Sequence, residues 1–189
     1  MSDHTLTALT ALGGPAAAID RFSGVTIREN PDLAMASAAT RMGRDADMAA
    51  RAKRLIGIAL PGPGGLVAAG DWSAFWTSPG QWMLTAPFVS HEDIAAIARG
   101  TLGDAASVTE QTDGWVRFEI EGPLAVPMLQ RLCNADVVTM RAGQATRCQI
   151  EHLGTFLLCQ VPGTGFSLLT LRSGAASMRH ALVTAAQSL

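Results

Sequence analysis

The sequence predicts an α+β domain with mainly antiparallel sheets, and two observations carry the prediction. From Val25 the strand and helix patterns run β-α-β-β-α and then β-β-α-β-β-β-α, so each half holds a strand–helix–two-strand–helix unit, a diffuse repeat of βαββα type. Tight turns, Pro79-Gly80 among them, separate neighbouring strands and join them as antiparallel hairpins. A single domain is expected over 25–189, in halves of about 25–104 and 105–189. An Ala-, Gly- and Thr-rich N-terminal arm over 1–24 precedes it. At 189 residues and 48% hydrophobic content the chain has enough apolar material for one core.

The elements follow in order. Residues 25–28 read as a short strand stopped by Asn30-Pro31. Residues 33–41 are open between helix, which their alanines favour, and strand, which their length favours. Residues 45–56 read as a helix. Met48, Ala52 and Leu55 share a face, Asp45 and Asp47 sit at the positive end, Lys53 and Arg54 at the negative end, and Gly57 supplies a left-handed stop. Pro61-Gly62-Pro63-Gly64-Gly65 reads as a linker, since it lacks GxxxxGK[ST] and the strand–GxGxxG–helix order of phosphate cradles.

Residues 73–77 and 81–85 form a hairpin. With Pro79-Gly80 as its loop, Thr77 faces Trp82, Trp76 faces Met83 and Phe75 faces Leu84. Phe75, Trp82 and Leu84 then share one face, and Trp72, Trp76 and Met83 the other. Both faces are apolar and both need covering. Ser90 is placed to cap a helix with a buried stripe of Ile94, Ile97 and Ala98, ended by Gly103.

Two strands follow, 107–111 and 115–121. In the second, Val116, Phe118 and Ile120 alternate with Trp115, Arg117, Glu119 and Glu121. A helix opening at Gly122-Pro123 presents Ala125, Met128, Leu129 and Leu132, with Pro127 bending or delaying it. Strands over 145–151, 155–161 and 166–171 lead to a helix capped by Ser173, whose face is Ala175, Met178, Leu182, Ala185 and Leu189.

Composition narrows the function. No apolar run approaches the ~18–20 residues of a membrane span. The first basic residue is Arg21, so there is no basic leader, and a cytoplasmic location is expected. Net charge is −2 and the 14 basic residues are scattered, which argues against a nucleic-acid groove. Three cysteines in no staple-like spacing agree with a reducing compartment. With Leu153-Gly154 as a two-residue loop, Cys148 lies opposite Cys159, with His152 on the same face. Without a C-x-x-C or an evident fourth ligand, the thiols read as apolar packing rather than a metal site. His4, His91, His152 and His180 read as solvated or capping side chains. Trp72, Trp76, Met83 and Trp115 are the candidate partner-interface residues, because Trp is enriched among interface anchors. Burial within the chain is the competing account.

The order of several soft motifs resembles a known pattern. GWVRFEIEGP at 114–123, RLCNAD at 131–136, GQATR at 143–147 and LRS at 171–173 follow the core of the aminomethyltransferase-like folate-binding superfamily. LPGPGG at 60–65 and WTSPGQWML at 76–84 extend the likeness to the gamma subunits of heterotetrameric sarcosine oxidases, over roughly 25–189. The resemblance implies an aminomethyltransferase-like folate-binding fold. It implies a non-catalytic subunit whose alpha, beta and delta partners carry the FAD, FMN, NAD, zinc and tetrahydrofolate. The complex oxidises sarcosine to glycine, passes the one-carbon unit to tetrahydrofolate and forms hydrogen peroxide. Aminomethyltransferases place an Asp in the strand after the Gly-bearing hairpin. The matching strand here, 155–160, has no carboxylate, and a stand-in from Glu110, Asp113 or Glu119 is disfavoured. No catalytic, cofactor-binding or metal residue is expected in the chain. The alternative is a stand-alone folate-binding protein.

Overall fold

The computed structural model describes residues 7–189. Along the chain lie β1 (Ile19–Phe22), β2 (Val25–Glu29), β3 (Leu33–Thr40), α1 (Asp45–Ile56), β4 (Leu66–Ala69), β5 (Trp72–Ser78), β6 (Gln81–Pro87), α2 (Ile94–Leu102) and β7 (Ala106–Glu110). Then come β8 (Trp115–Glu121), α3 (Ala125–Leu132), β9 (Gln144–Ile150), β10 (Leu153–Val161), β11 (Gly165–Leu171) and α4 (Ala175–Gln187). All strand pairs are antiparallel and build two sheets, ordered β1-β2-β8-β11-β10-β9 and β4-β5-β6-β3-β7.

Alternation along the strands sorts the apolar residues into three cores. Ala36, Ala74 and Leu84 meet α1 and α2 on one side of the five-stranded sheet. Phe118, Leu157 and Leu168 meet α3 and α4 on one side of the six-stranded sheet. Between the sheets Met35, Phe75 and Met83 pack against Phe156, Leu158 and Leu169. The layers therefore stack helix, sheet, sheet, helix, and each strand buries both faces where the sheets overlap.

The two sheets are topologically equivalent. In each, a β-bulge interrupts the central hairpin, between Trp76 and Ser78 in β5 and between Cys159 and Val161 in β10. Superposing the bulges aligns β3 with β8, β4 with β9, β5 with β10, β6 with β11 and β7 with β2. β2 thus fills in one sheet the place that β7 fills in the other. Two seams join the sheets. Leu66 N–H donates to Gly143 O at 2.7 Å and Ala145 N–H to Gly64 O at 2.9 Å. At the other the chain itself crosses from sheet to sheet, between β2 and β3 and between β7 and β8, and Met35 N–H of β3 donates to Thr112 Oγ1 of the second crossing at 2.9 Å. Gly143 has φ +80°, and a Cβ there would come within 3.2 Å of Leu66 O, so the seam needs a glycine.

Several sequence expectations change. Residues 33–40 are a strand, β4 adds a third strand between α1 and α2, and 25–29 pair with β8 in the sheet whose other strands are β1 and those of 115–171. The halves therefore exchange strands across the boundary at 104–105. Within the expected arm, β1 pairs with β2, and Asp20 is clamped by Arg179 of α4 at 2.7 and 2.8 Å.

The bulge pairs Trp76 with Trp82 and Phe75 with Met83, one residue off the expected hairpin register, which moves Met83 to the Phe75 face. The turn before β10 is Glu151-His152, both at positive φ (48° and 66°), so Thr155 stands opposite Cys148 and Gln144 opposite Cys159. Leu153 is thereby freed to pack under Gly174 at the start of α4, where an added Cβ would meet it at 3.0 Å. The slip is even, so the cysteines keep one face but are not neighbours.

Ser90 lies in a short 3₁₀ turn and bonds Pro87 O and His91 Nδ1 instead of capping α2, and Ile97 is exposed. Ser173 likewise makes no cap, and Leu189 is exposed. Pro127 delays α3, whose first residue is Ala125. Its missing N–H then falls among those with no intrahelical acceptor.

Candidate functional site

The inner face of the six-stranded sheet extends beyond the cover of the five-stranded one, and there it turns polar. The strict alternation of β8 sends Val116, Phe118 and Ile120 to the helices and Arg117 and Glu119 to the opposite side. Glu119 is the hub. Asn30 Nδ2, just past β2, donates to Oε1 at 2.9 Å. The Ser167 hydroxyl of β11 donates to Oε2, and Gln160 Nε2 of β10 donates to Ser167 Oγ.

Arg117 Nε stands 2.6 Å from Glu119 Oε1 but is not aligned for a hydrogen bond, so their contact is an ion pair of two largely buried side chains. Ser167 is fully buried. A cleft of about 310 Å³ opens beside the network, lined by Glu119, Glu121, Gln160, Thr164 and Phe166 among others. A carboxylate already held by two hydrogen bonds and a guanidinium is engaged on both oxygens, which suits it to orienting its neighbours.

A second cavity, about 400 Å³, lies under the N-terminal segment and is lined by Leu9, Glu29, Met35, Phe88, Trp115 and Arg172 among others. Glu29 is 1% exposed. Its oxygens accept Leu12 N–H at 3.0 Å and Ala18 N–H at 3.2 Å. Arg172 donates to the carbonyls of Leu9 (3.1 Å) and Thr10 (3.2 Å) and stands 3.6 Å from Asp113. One acid and one base thus strap residues 9–18 across the cavity mouth.

Of the other carboxylates weighed from sequence, Asp113 lies beside Arg172 and Glu110 serves its own turn. It accepts the Thr112 hydroxyl at 2.6 Å and the amides of Thr112, Gln111 and Ala95. Desolvation pushes its carboxyl up, but these donors outweigh it and the net shift is below the ordinary glutamate value.

The four interface candidates are not brought together. Met83 is 4% exposed in the core between the sheets, so it offers no partner contact. Trp72 is half-buried, edge-on to His91 at 4.9 Å. Trp76 is half-buried beside Trp82, whose indole donates to Pro61 O at 2.8 Å. Trp115 packs on Phe156 at 5.8 Å and donates to Gln111 Oε1 at 3.1 Å, at the cavity wall. His152 lies at an exposed turn while Cys148 and Cys159 point into the α3–α4 core. Among the described residues no group of three or more His, Cys, Asp or Glu side chains is placed to hold a metal ion, and no helix is long and apolar enough to cross a membrane.

No protein-family model and no curated protein matches the chain. Solved structures do. A chain of the heterotetrameric sarcosine oxidase from Corynebacterium sp. U-96, in complex with pyrrole 2-carboxylate, matches with a TM-score of 0.74 and 21% identity, over 87% of this chain and 84% of that one. The fold is that of a sarcosine oxidase subunit. The glycine cleavage system aminomethyltransferase T from Bartonella henselae matches with a TM-score of 0.59 and 12% identity, over 88% of this chain. The match spans about half of that longer protein, 53% of its length. The aminomethyltransferase-like fold expected from the motifs is therefore present, as mixed α/β with two antiparallel sheets.

Proposed function

We propose that this chain is the gamma-type subunit of a heterotetrameric sarcosine oxidase, a non-catalytic part that supports assembly and stability of the flavin-bearing subunits. The observation that carries the reading is the likeness of fold to a chain of such a complex over most of both chains. In this reading the alpha, beta and delta subunits are its partners and hold FAD, FMN, NAD and zinc. Tetrahydrofolate is handled by alpha, and the assembled complex converts sarcosine to glycine in the cytoplasm. Two features of the chain agree with a role without chemistry of its own. The strand Leu153–Val161 carries no carboxylate, and Glu119, the nearest substitute, is engaged by Asn30, Ser167 and Arg117.

Co-expression with the alpha, beta and delta subunits tests the proposal. A stable complex with sarcosine-dependent oxygen uptake, whose yield collapses without this chain, is expected. Retention of full activity in its absence refutes it. Calorimetry with tetrahydrofolate separates the rival reading, since tight binding by the isolated chain identifies a folate-binding protein instead. Trp72 and Trp76 remain the proposed anchors. Trp76→Ala is expected to weaken co-purification by ~2 kcal/mol or more. If the isolated variant unfolds, Trp76 belongs to the core.

A further inference from the structure

Glu119 is engaged on both oxygens, and Glu110 by three amides and a hydroxyl. The cavity under residues 9–18 holds polar groups with capacity left over. Glu29 lines it at 1% exposure. A carboxylate offers about four acceptor positions, and the amides of Leu12 and Ala18 fill two of them. Among the described residues no base stands within ion-pair distance of Glu29. Arg172 binds the carbonyls of Leu9 and Thr10 and stands beside Asp113, and Arg179 is forked onto Asp20. Buried charges are ordinarily paired, so this one is an exception. Thr10, on the strap itself, also lines the cavity, and its Oγ1 is buried with no hydrogen-bond partner among the described residues.

The walls are of another kind. Leu33, Met35, Phe88 and Trp115 supply apolar and aromatic surface around about 400 Å³, a volume within the range of small-molecule pockets. The charged side chains on the lining are Glu29, Asp32, Asp113 and Arg172, three acids against one base.

We propose that this cavity binds a small organic amine as its ammonium ion, with Glu29 as the counter-charge and residues 9–18 as the roof. The ammonium N–H groups donate to the acceptor positions that Glu29 and Thr10 leave open. The hydrocarbon body lies against Trp115, Met35 and Phe88. The excess of carboxylates turns away an anion. The apolar walls do not suit a bare metal ion, and among the described residues no group of three or more His, Cys, Asp or Glu side chains is placed to hold one. Because the same carboxylate anchors the Leu12 and Ala18 amides, a ligand held by Glu29 beneath the strap favours the closed strap over the open one.

The test titrates the full chain, alone, with 2-phenylethylammonium by calorimetry. The neutral isostere 2-phenylethanol and the anion 3-phenylpropanoate are the controls. One saturable site is expected, ~10-fold or more weaker for the alcohol and for the anion. Saturation should slow hydrogen exchange at the Leu12 and Ala18 amides. Glu29→Gln keeps the size of the side chain and should cost the ammonium, but not the alcohol, ~10-fold or more in affinity. Since that variant also touches the strap, Ala17→Phe supplies a second arm: it fills the cavity from the roof, leaves Glu29 in place and should abolish binding. Equal affinity for ammonium and alcohol overturns the proposal, as does the absence of saturable binding. So does binding that survives either variant unchanged, or exchange slowed only outside residues 9–18. No oxidase subunit is present in the titration, so the result stands apart from the proposed partnership.

Discussion

The two helix-covered layers share a strand order and are filled in opposite ways. With the bulges superposed, Ala34, Ala36 and Ala38 of β3 stand where Val116, Phe118 and Ile120 stand in β8, and Ala74 stands where Leu157 does. At these positions the sheet presents methyl groups to α1 and α2, and branched and aromatic side chains to α3 and α4. On the inner faces the asymmetry changes kind. Met35 and Met83 close the space between the sheets, and the equivalent positions in the other sheet are Arg117 and Ser167 of the polar network. The same backbone plan therefore yields an apolar wall on one side and a carboxylate-centred cleft on the other. The candidate site lies where the two sheets differ most in chemistry.

The comparison can be broken at its largest contact. Phe118 is fully buried, and Phe118→Ala should cost about 3–5 kcal/mol in denaturant unfolding, because it removes both transfer energy and packing. An effect under ~1 kcal/mol would mean that the layer relaxes as readily as an alanine-filled one. The opposite substitution sharpens the contrast. Ala34→Val copies the residue of the equivalent position, yet it should destabilise by about 1–3 kcal/mol, since no space is left at a fully buried alanine. A neutral result would show the two layers to be interchangeable.

The smallest effect is at the strand ends, where β7 closes on Glu110 and β2 on its counterpart Glu29. The Glu110 carboxyl lies below its ordinary value, so its contribution is complete above the ordinary glutamate range and is lost as the pH falls through the lower folded value. Glu110→Gln should therefore narrow its gap to the wild type as the pH drops into that range, read as urea midpoints. The gap should be small throughout, because the side chain is exposed and screened.

What the sequence revealed follows the same physics. The Asp45–Ile56 helix was legible because its charges, apolar stripe and Gly57 stop agree, and Gly57 does cap it at φ +88°. Strands β1 and β4 were not, since four residues carry too little alternation. The hairpin registers failed for specific reasons, a bulged residue at Thr77 and a turn built on Glu151 and His152 where glycine or asparagine is the usual choice. The Glu119 network escaped notice because its members come from four separate segments and meet only once the β8–β11 and β10–β11 registers are set. Ser167, set within the largely apolar run of β11, was the one available signal.

That β2 completes the second sheet has a consequence for how the protein is made. Its partner β8 begins only after residues 30–114 have been added, which at ~5–20 residues per second takes roughly 4–17 s. During that interval the first hairpin has no sheet to join, although the other layer can already close around β3–β7. The N-terminal strands leave the ribosome first and find their place late. A permuted gene that began at Asp32 and ended with β1–β2 would deliver them beside a finished sheet.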